Sequence, residues 1–321
     1  MNNSFNIVGT GSYVPKKIVT NDDLSNLMDT NDEWITQRVG VKQRHVCVEE
    51  TLGDIACEAA NKALEMSNTS AKDLDLIICA TISGEYSTPS LACIVQSMLG
   101  AECPAYDVNS ACAGFMFALE AAAGHFARGT VNKVLVIGAE RLSRILNWKD
   151  RSTAVIFGDG AGAAVLEKGN GFIASKISSK GNIDVLNIPN ANTKNNPFVK
   201  EVSEVENYVH MDGQETFKFA VPTLCNDIKD VVSTAGITLN DISHVIPHQA
   251  NIRIIDLAAK KLGIDRERFH TNIDRVGNTS SASVPILLDE INRKGLIKSG
   301  EYVAIAAFGG GLSSSACIMR W

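Results

Sequence analysis

The sequence predicts an α/β fold made of two pseudo-symmetric halves, residues 1–170 and 171–321. Three observations predict it. Runs such as Leu74–Thr81 and Tyr302–Phe308 are apolar almost throughout, the pattern of strands covered by helices on both faces. Helical segments alternate with those runs. The order then recurs: the offset from Ile77 to Ile246 nearly equals that from Gly100 to Gly263, where each glycine closes a helix. A chain of 321 residues has room for two such units.

Composition narrows the classes. Hydrophobic residues at 45% and charged residues at 21% are ordinary for a globular chain. A net charge of −6 argues against a protein that binds nucleic acid over its surface. No apolar run approaches the roughly 20 residues that span a bilayer, and Met1–Phe5 lacks the basic and apolar segments of an export signal. The eight cysteines include no Cys-x-x-Cys pair, so neither a metal site nor a disulfide framework is expected, and a reduced cytoplasmic setting is.

In chain order, Ile7–Pro15 reads as a strand and a Gly/Pro turn whose Gly-x-Gly is too little for a dinucleotide site. Thr20–Leu24 and Thr30–Ile35 are capped helix starts. Trp34 and Arg38, four apart, share a helix face, either as a packing pair or as a platform for a flat ligand. Thr51–Ser67 is an amphipathic helix, Leu74–Thr81 a strand, and Ser90–Leu99 a helix closed by Gly100. Lys133–Gly138 is a strand, and Gly158–Gly162 is a turn that leads into Ala163–Leu166. The second half reads as helix Val221–Ala235, strand Ile242–His248, helix Ile252–Leu262, strand Phe269–Ile273, helix Ser281–Lys294, and strands Tyr302–Phe308 and Ser315–Arg320. The Asn/Pro-rich stretch 180–215 reads as a loop insertion or cover.

The chemistry centres on Asp107–Met116. A short strand ends in small polar residues, and an apolar helix begins at or beside Cys112. A thiol there faces the positive end of a helix, which favours thiolate; free cysteine is also a common core residue. Two further polar signals fall at strand ends of the second half. His248 follows an apolar strand, and Asn278 stands where the repeat places the counterpart of the Cys112 turn. Gly309-Gly310-Gly311 offers bare backbone N–H groups suited to an oxyanion. Each has a bland alternative in turn chemistry or packing, but their placement at matching ends of a repeated unit is the stronger pattern.

Six segments add a resemblance: Thr30–Ile35 (Thr-Asn-Asp-Glu-Trp-Ile), Ser110–Phe115 (Ser-Ala-Cys-Ala-Gly-Phe), Phe157–Ala163, Pro247–Asn251 (Pro-His-Gln-Ala-Asn), Gly277–Ser280 and Phe308–Gly311. In this order, and across essentially the whole chain, they closely resemble the 3-oxoacyl-[acyl-carrier-protein] synthase III family. The resemblance implies a thiolase-like fold in a layered αβαβα arrangement and a decarboxylating Claisen condensation of an acyl-CoA with malonyl-acyl-carrier protein. It implies that Cys112 carries the acyl group, that the N–H groups of Cys112 and Gly310 hold the oxyanion, and that His248 and Asn278 stabilise the enolate. It also implies that Trp34 and Arg151 clasp the CoA adenine, with Arg38 at its phosphates. CoA enters as a substrate, and no cofactor is implied; a homodimer is. The basic stripe Arg253, Lys260 and Lys261 on one helix suits an acidic carrier protein or simply a solvated face.

Two departures bear on specificity. Acetyl-selective members commonly floor the acyl pocket with Phe near the position of Thr88, so longer or branched primers are expected here. Leu312-Ser313-Ser314 stands where relatives often carry aromatics. The rival readings are a same-fold enzyme of a dedicated pathway and a non-catalytic scaffold. A hydroxymethylglutaryl-type synthase needs an acidic Glu near the cysteine, and the nearest in sequence, Glu85 and Glu102, have no motif around them.

Overall fold

The computed structural model describes residues 4–190, 198 and 206–321. In the first half, strands β1 (Ser4–Tyr13), β2 (Leu76–Ala80), β3 (Ala105–Val108), β4 (Lys133–Glu140) and β5 (Gly160–Gly169) form one sheet in the order β3-β2-β4-β5-β1. β3, β2 and β4 run parallel, and β5 and β1 each pair antiparallel. The second sheet holds β6 (Phe172–Asn182), β7 (Ile242–Pro247), β8 (Tyr302–Gly309) and β9 (Gly311–Arg320) in the order β7-β8-β9-β6. A single parallel bridge from Phe269 to Val245 stands where the first sheet has β3, so the two orders coincide.

That bridge is all that remains of the strand expected at Phe269–Ile273. The backbone N–H of Asn272 goes to Gln249 Oε1, 3.1 Å away, rather than to a neighbouring strand, and Ile273–Val276 then turns as a short helix. The chain leaves the sheet early in order to feed the Asn278 turn.

The helices that matter to the site are α1 (Asp32–Arg38), α2 (Leu52–Met66), α3 (Leu91–Leu99), α4 (Gly114–Ala127), α5 (Gly213–Thr234), α6 (Ile252–Leu262) and α7 (Ser283–Arg293). Caps fix their ends. Thr51 and Asp54 close a reciprocal box at α2, and Gly100 and Gly263 end α3 and α6 in the left-handed region, at φ 67° and 68°. α5 begins before the expected Val221, because Asp212 accepts the N–H groups of Gln214 and Glu215. Its first turns are polar, and Pro222 within it hides the period.

Packing sorts these into five layers. α4 and α7 lie between the sheets, where Phe115, Leu119, Leu287 and Leu288 meet Ile78 and Val136 on one side and Ile246 and Ile305 on the other. α2 and α3 cover the outer face of the first sheet, and α5 and α6 that of the second. Each fully buried Leu or Phe of the middle layer contributes about 1.5–3 kcal/mol by leaving water, so the two turns that open α4 and α7 sit on the best-packed part of the molecule. The insertion is in part a cover: beyond β6, Leu186–Asn187 pairs with His210–Met211. The remainder of that expectation, at 191–197 and 199–205, lies outside the described residues.

Candidate active site

The two central helices are entered in the same way. After β3 the chain passes through Ala111 at φ 47° into a tight turn, Ala111–Ala113, and then α4. In the second half it passes through Ser280 at φ 49° into the turn Ser280–Ala282 and then α7. A left-handed non-glycine residue is strained and uncommon; the same strain at equivalent points is a device of the fold. It points Cys112 and the Asn278 loop toward each other. Bare backbone at the end of β8 completes the approach, since a Cβ on Gly309 would lie 2.6 Å from the Cys112 nitrogen.

Cys112, His248 and Asn278 line one cavity of about 160 Å³, together with Phe308 and Gly309. His248 caps the end of β7, its N–H donating to Ala306 O at 2.8 Å and its ring edge-on to Phe308. Ser283 Oγ lies 2.6 Å from His248 Nδ1 and also accepts the N–H of Gln249, which engages Nδ1 and leaves Nε2 without a hydrogen-bond partner among the described residues. Asn278 Oδ1 accepts the Ser280 N–H at 2.8 Å, so its Nδ2 hydrogens remain for a ligand. Its own backbone is clamped by Ile156 O and Gly158 N. The second half therefore presents an imidazole nitrogen and an amide to the cysteine of the first.

Electrostatics corrects one expectation. Burial pushes the Cys112 thiol up to about 12. The helix proper begins two residues later, at Gly114, with the tight turn between. Desolvation thus outweighs the helix end, and the resting nucleophile is a thiol. Burial also pulls His248 down to about 3, so the imidazole is neutral at physiological pH.

A second cavity, of about 440 Å³, also reaches Cys112. Ile82, Leu142, Ile145, Phe157, Leu186 and Val209 supply its apolar lining, and Gly310 and Ser313 line it as well. Gly310 shares this second cavity with Cys112, while Gly309 lines the one that holds His248 and Asn278. Thr88 is exposed and lines neither cavity of this chain, because its loop turns outward ahead of α3. Leu312 faces the catalytic cavity and Ser313 the second one.

The path to the surface runs through an open cleft that shares Ser152, Met211, Gly213, Phe217 and Asn251 with the Cys112 cavity. Arg38 and Arg253 stand on its walls. The Trp34 ring has two guanidinium groups over it, Arg38 at 5.8 Å and Arg151 at 5.3 Å. Arg151 is held there by Asp29, through its carbonyl oxygen at 2.8 Å and its carboxylate at 3.3 Å. The pair expected from spacing is thus present, and a third residue far along the chain joins it. Arg253 covers Phe217 at the cleft mouth; Lys260 and Lys261 are exposed farther along α6. Sequence reading missed Ser283 and Glu140, neither of which has a signal apart from its place in the fold.

Comparison with known proteins agrees with this fold. Models of 3-oxoacyl-[acyl-carrier-protein] synthase III match residues 106–181, and of its C-terminal part residues 232–321. The β-ketoacyl-[acyl-carrier-protein] synthase III of Clostridium acetobutylicum is 46% identical over 99% of both chains. The crystal structure of 3-oxoacyl-[acyl-carrier-protein] synthase III from Aquifex aeolicus superposes with a TM-score of 0.92 at 41% identity, covering 99% of this chain and 100% of that one. The priming β-ketosynthase of the R1128 polyketide biosynthetic pathway superposes with a TM-score of 0.93 at 31% identity, covering 99% and 96%. At this identity and coverage the chain belongs to the 3-oxoacyl-[acyl-carrier-protein] synthase III family.

Proposed function

We propose that the protein condenses a short acyl-CoA with malonyl-acyl-carrier protein, releasing CO₂ and CoA and giving the 3-oxoacyl-carrier product that starts a fatty acid. The observation that carries this reading is the convergence of Cys112, His248 and Asn278 on one cavity. Cys112 sulfur attacks the thioester carbon of the acyl-CoA, the tetrahedral oxyanion takes the N–H groups of Cys112 and Gly310, and the C–S bond to CoA breaks. The thiol proton leaves with CoA. Malonyl-carrier then enters; its carboxylate departs as CO₂ and the bonding pair becomes an enolate. His248 Nε2–H and Asn278 Nδ2–H donate to the enolate oxygen, both neutral groups whose hydrogen bonds strengthen as charge develops. The enolate carbon attacks the acyl-cysteine, and Cys112 departs as thiolate and takes a proton from water.

Trp34, Arg38 and Arg151 would hold the nucleotide end of CoA, and Arg253, Lys260 and Lys261 the acidic carrier protein. The protein would act in the cytoplasm as a homodimer; no described helix is long and apolar enough to cross a membrane. The size of the second cavity, rather than Thr88, supports a primer longer or more branched than acetyl. A dedicated-pathway enzyme of the same fold remains the second reading, favoured by the likeness to the polyketide priming enzyme.

A panel of acetyl-, butyryl- and branched acyl-CoA with malonyl-carrier protein tests the reading, run on wild type and Cys112→Ser. Acyl uptake on wild type, seen by intact-protein mass, followed by 3-oxoacyl-carrier formation is expected, with condensation lost in Cys112→Ser. Wild type that takes up no acyl group is a scaffold, and strict acetyl preference removes the argument from cavity size.

A further inference from the structure

Glu140 ends β4 and is fully buried, yet the reaction above gives it no part. It lines neither cavity at Cys112, so it cannot touch a substrate there. Among the described residues no cation pairs with it; the guanidinium of its neighbour Arg141 is turned to Glu85, 3.2 Å away.

The protons around this group can be counted. Oε2 receives three hydrogen bonds, from Thr81 Oγ1 at 3.2 Å, Ile82 N at 3.1 Å and Ser83 Oγ at 2.6 Å. Each hydroxyl also accepts one backbone N–H, Thr81 that of Ser83 and Ser83 that of Arg141, and turns its own proton to Glu140 Oε2. Oε1 has one partner, Ser281 Oγ at 2.8 Å. Ser281 is the second-half counterpart of Cys112, and its hydroxyl also meets the carbonyl oxygen of Ala80 at 2.9 Å. A hydroxyl has one proton and a carbonyl has none to give. The Ser281 proton therefore goes to Ala80, and the contact with Oε1 needs a proton from the carboxyl group. Burial without a cation favours the same form, holding this carboxyl above its usual range.

We propose that Glu140 is kept as a neutral carboxylic acid whose Oε1–H donates to Ser281, and that it is a positioning residue for the condensation. It fastens the turn that carries Asn278 to the end of β2 in the other half, without placing a negative charge beside Cys112. Neutrality matters because the thiolate, the oxyanion and the enolate are all negative, and an ionised carboxylate behind the cysteine would oppose each of them. The Ser280 hydroxyl lies toward both Cys112 and Glu140 and closes no hydrogen bond of ordinary length to either, so it does not shield one from the other. The positioning role rests on the proposed function; the protonation state does not.

Infrared difference spectroscopy at pH 7, wild type against Glu140→Gln, reads the proton directly. The expected difference is a protonated-carboxyl C=O stretch present in wild type and absent from the variant. Loss of a carboxylate band pair instead would overturn the protonation. Positioning is read by timing Cys112 acylation and condensation separately. Glu140→Gln, whose amide N–H replaces the lost O–H, is expected to hold both steps within about threefold of wild type. Glu140→Ala is expected to lose about a hundredfold in condensation and less than tenfold in acylation; Ser281→Ala reads the same contact should Glu140→Ala not fold. Equal losses in the two steps, or Gln as poor as Ala, would overturn the positioning role. Absence of acylation in wild type would sink the proposed function while leaving the infrared result in force.

Discussion

At the scale of single residues, the site works with neutral groups. A thiol driven up by burial and an imidazole driven down by it meet without forming an ion pair at rest. The identities of Cys112 and His248 were legible in the sequence because each follows an apolar strand, and that of Asn278 because its turn repeats the Cys112 turn in the second half. Their protonation was not. A helix N-terminus can be read from a sequence, whereas the desolvation that overrides it depends on what the fold packs around the sulfur. Ser283 was illegible for a related reason: thirty-odd residues on from His248, it reads as one more small residue near a helix start. The depressed His248 pKa has a consequence for stability. Unfolded, His248 titrates near its ordinary value; folded, it resists protonation until about 3. The unfolded chain therefore binds more protons as pH falls from about 6.5, and this contribution is full above that pH and lost toward 3, at about 1.4 kcal/mol per pH unit. His248→Gln should show a shallower loss of stability over that window in denaturant titrations, and an unchanged slope would contradict the assignment.

At the scale of elements, the strands and central helices came through the period of their apolar residues, with caps such as Thr51, Ser90 and Gly263 marking the ends. The elements misread were those whose backbone is satisfied by side chains. Asn272 gives its N–H to Gln249 instead of a strand, and Asp212 starts α5 within a polar stretch. The close approach of β8 to the cysteine turn makes a sharp element-scale prediction. Gly309→Ala sets a methyl 2.6 Å from the Cys112 nitrogen and 2.9 Å from its Cβ, both fixed by the turn. Overpacking of this kind costs about 1–3 kcal/mol, and displacement of the turn should slow acylation by about a hundredfold. Thermal melting and single-turnover acylation check both; a variant that acylates at the wild-type rate would show that the turn has freedom the structure denies it.

At the scale of the whole molecule, duplication explains why one site needs both halves. The first supplies the nucleophile from the turn before α4, and the second supplies His248 from β7 and Asn278 from the matching turn. The repeat was legible from Gly100 and Gly263 and from Ile77 and Ile246. What no linear reading shows is Glu140, placed by folding behind the cysteine while lying well beyond it in sequence. Its exclusion from both cavities also removes it as the substrate acid that a hydroxymethylglutaryl-type synthase needs. The division of labour between the halves is tested most directly by measuring acyl uptake on Cys112 and 3-oxoacyl-carrier formation separately in His248→Ala and Asn278→Ala. Both variants should still take up the acyl group, while condensation falls by about a hundredfold to a thousandfold; condensation at the wild-type rate in either variant would contradict the account.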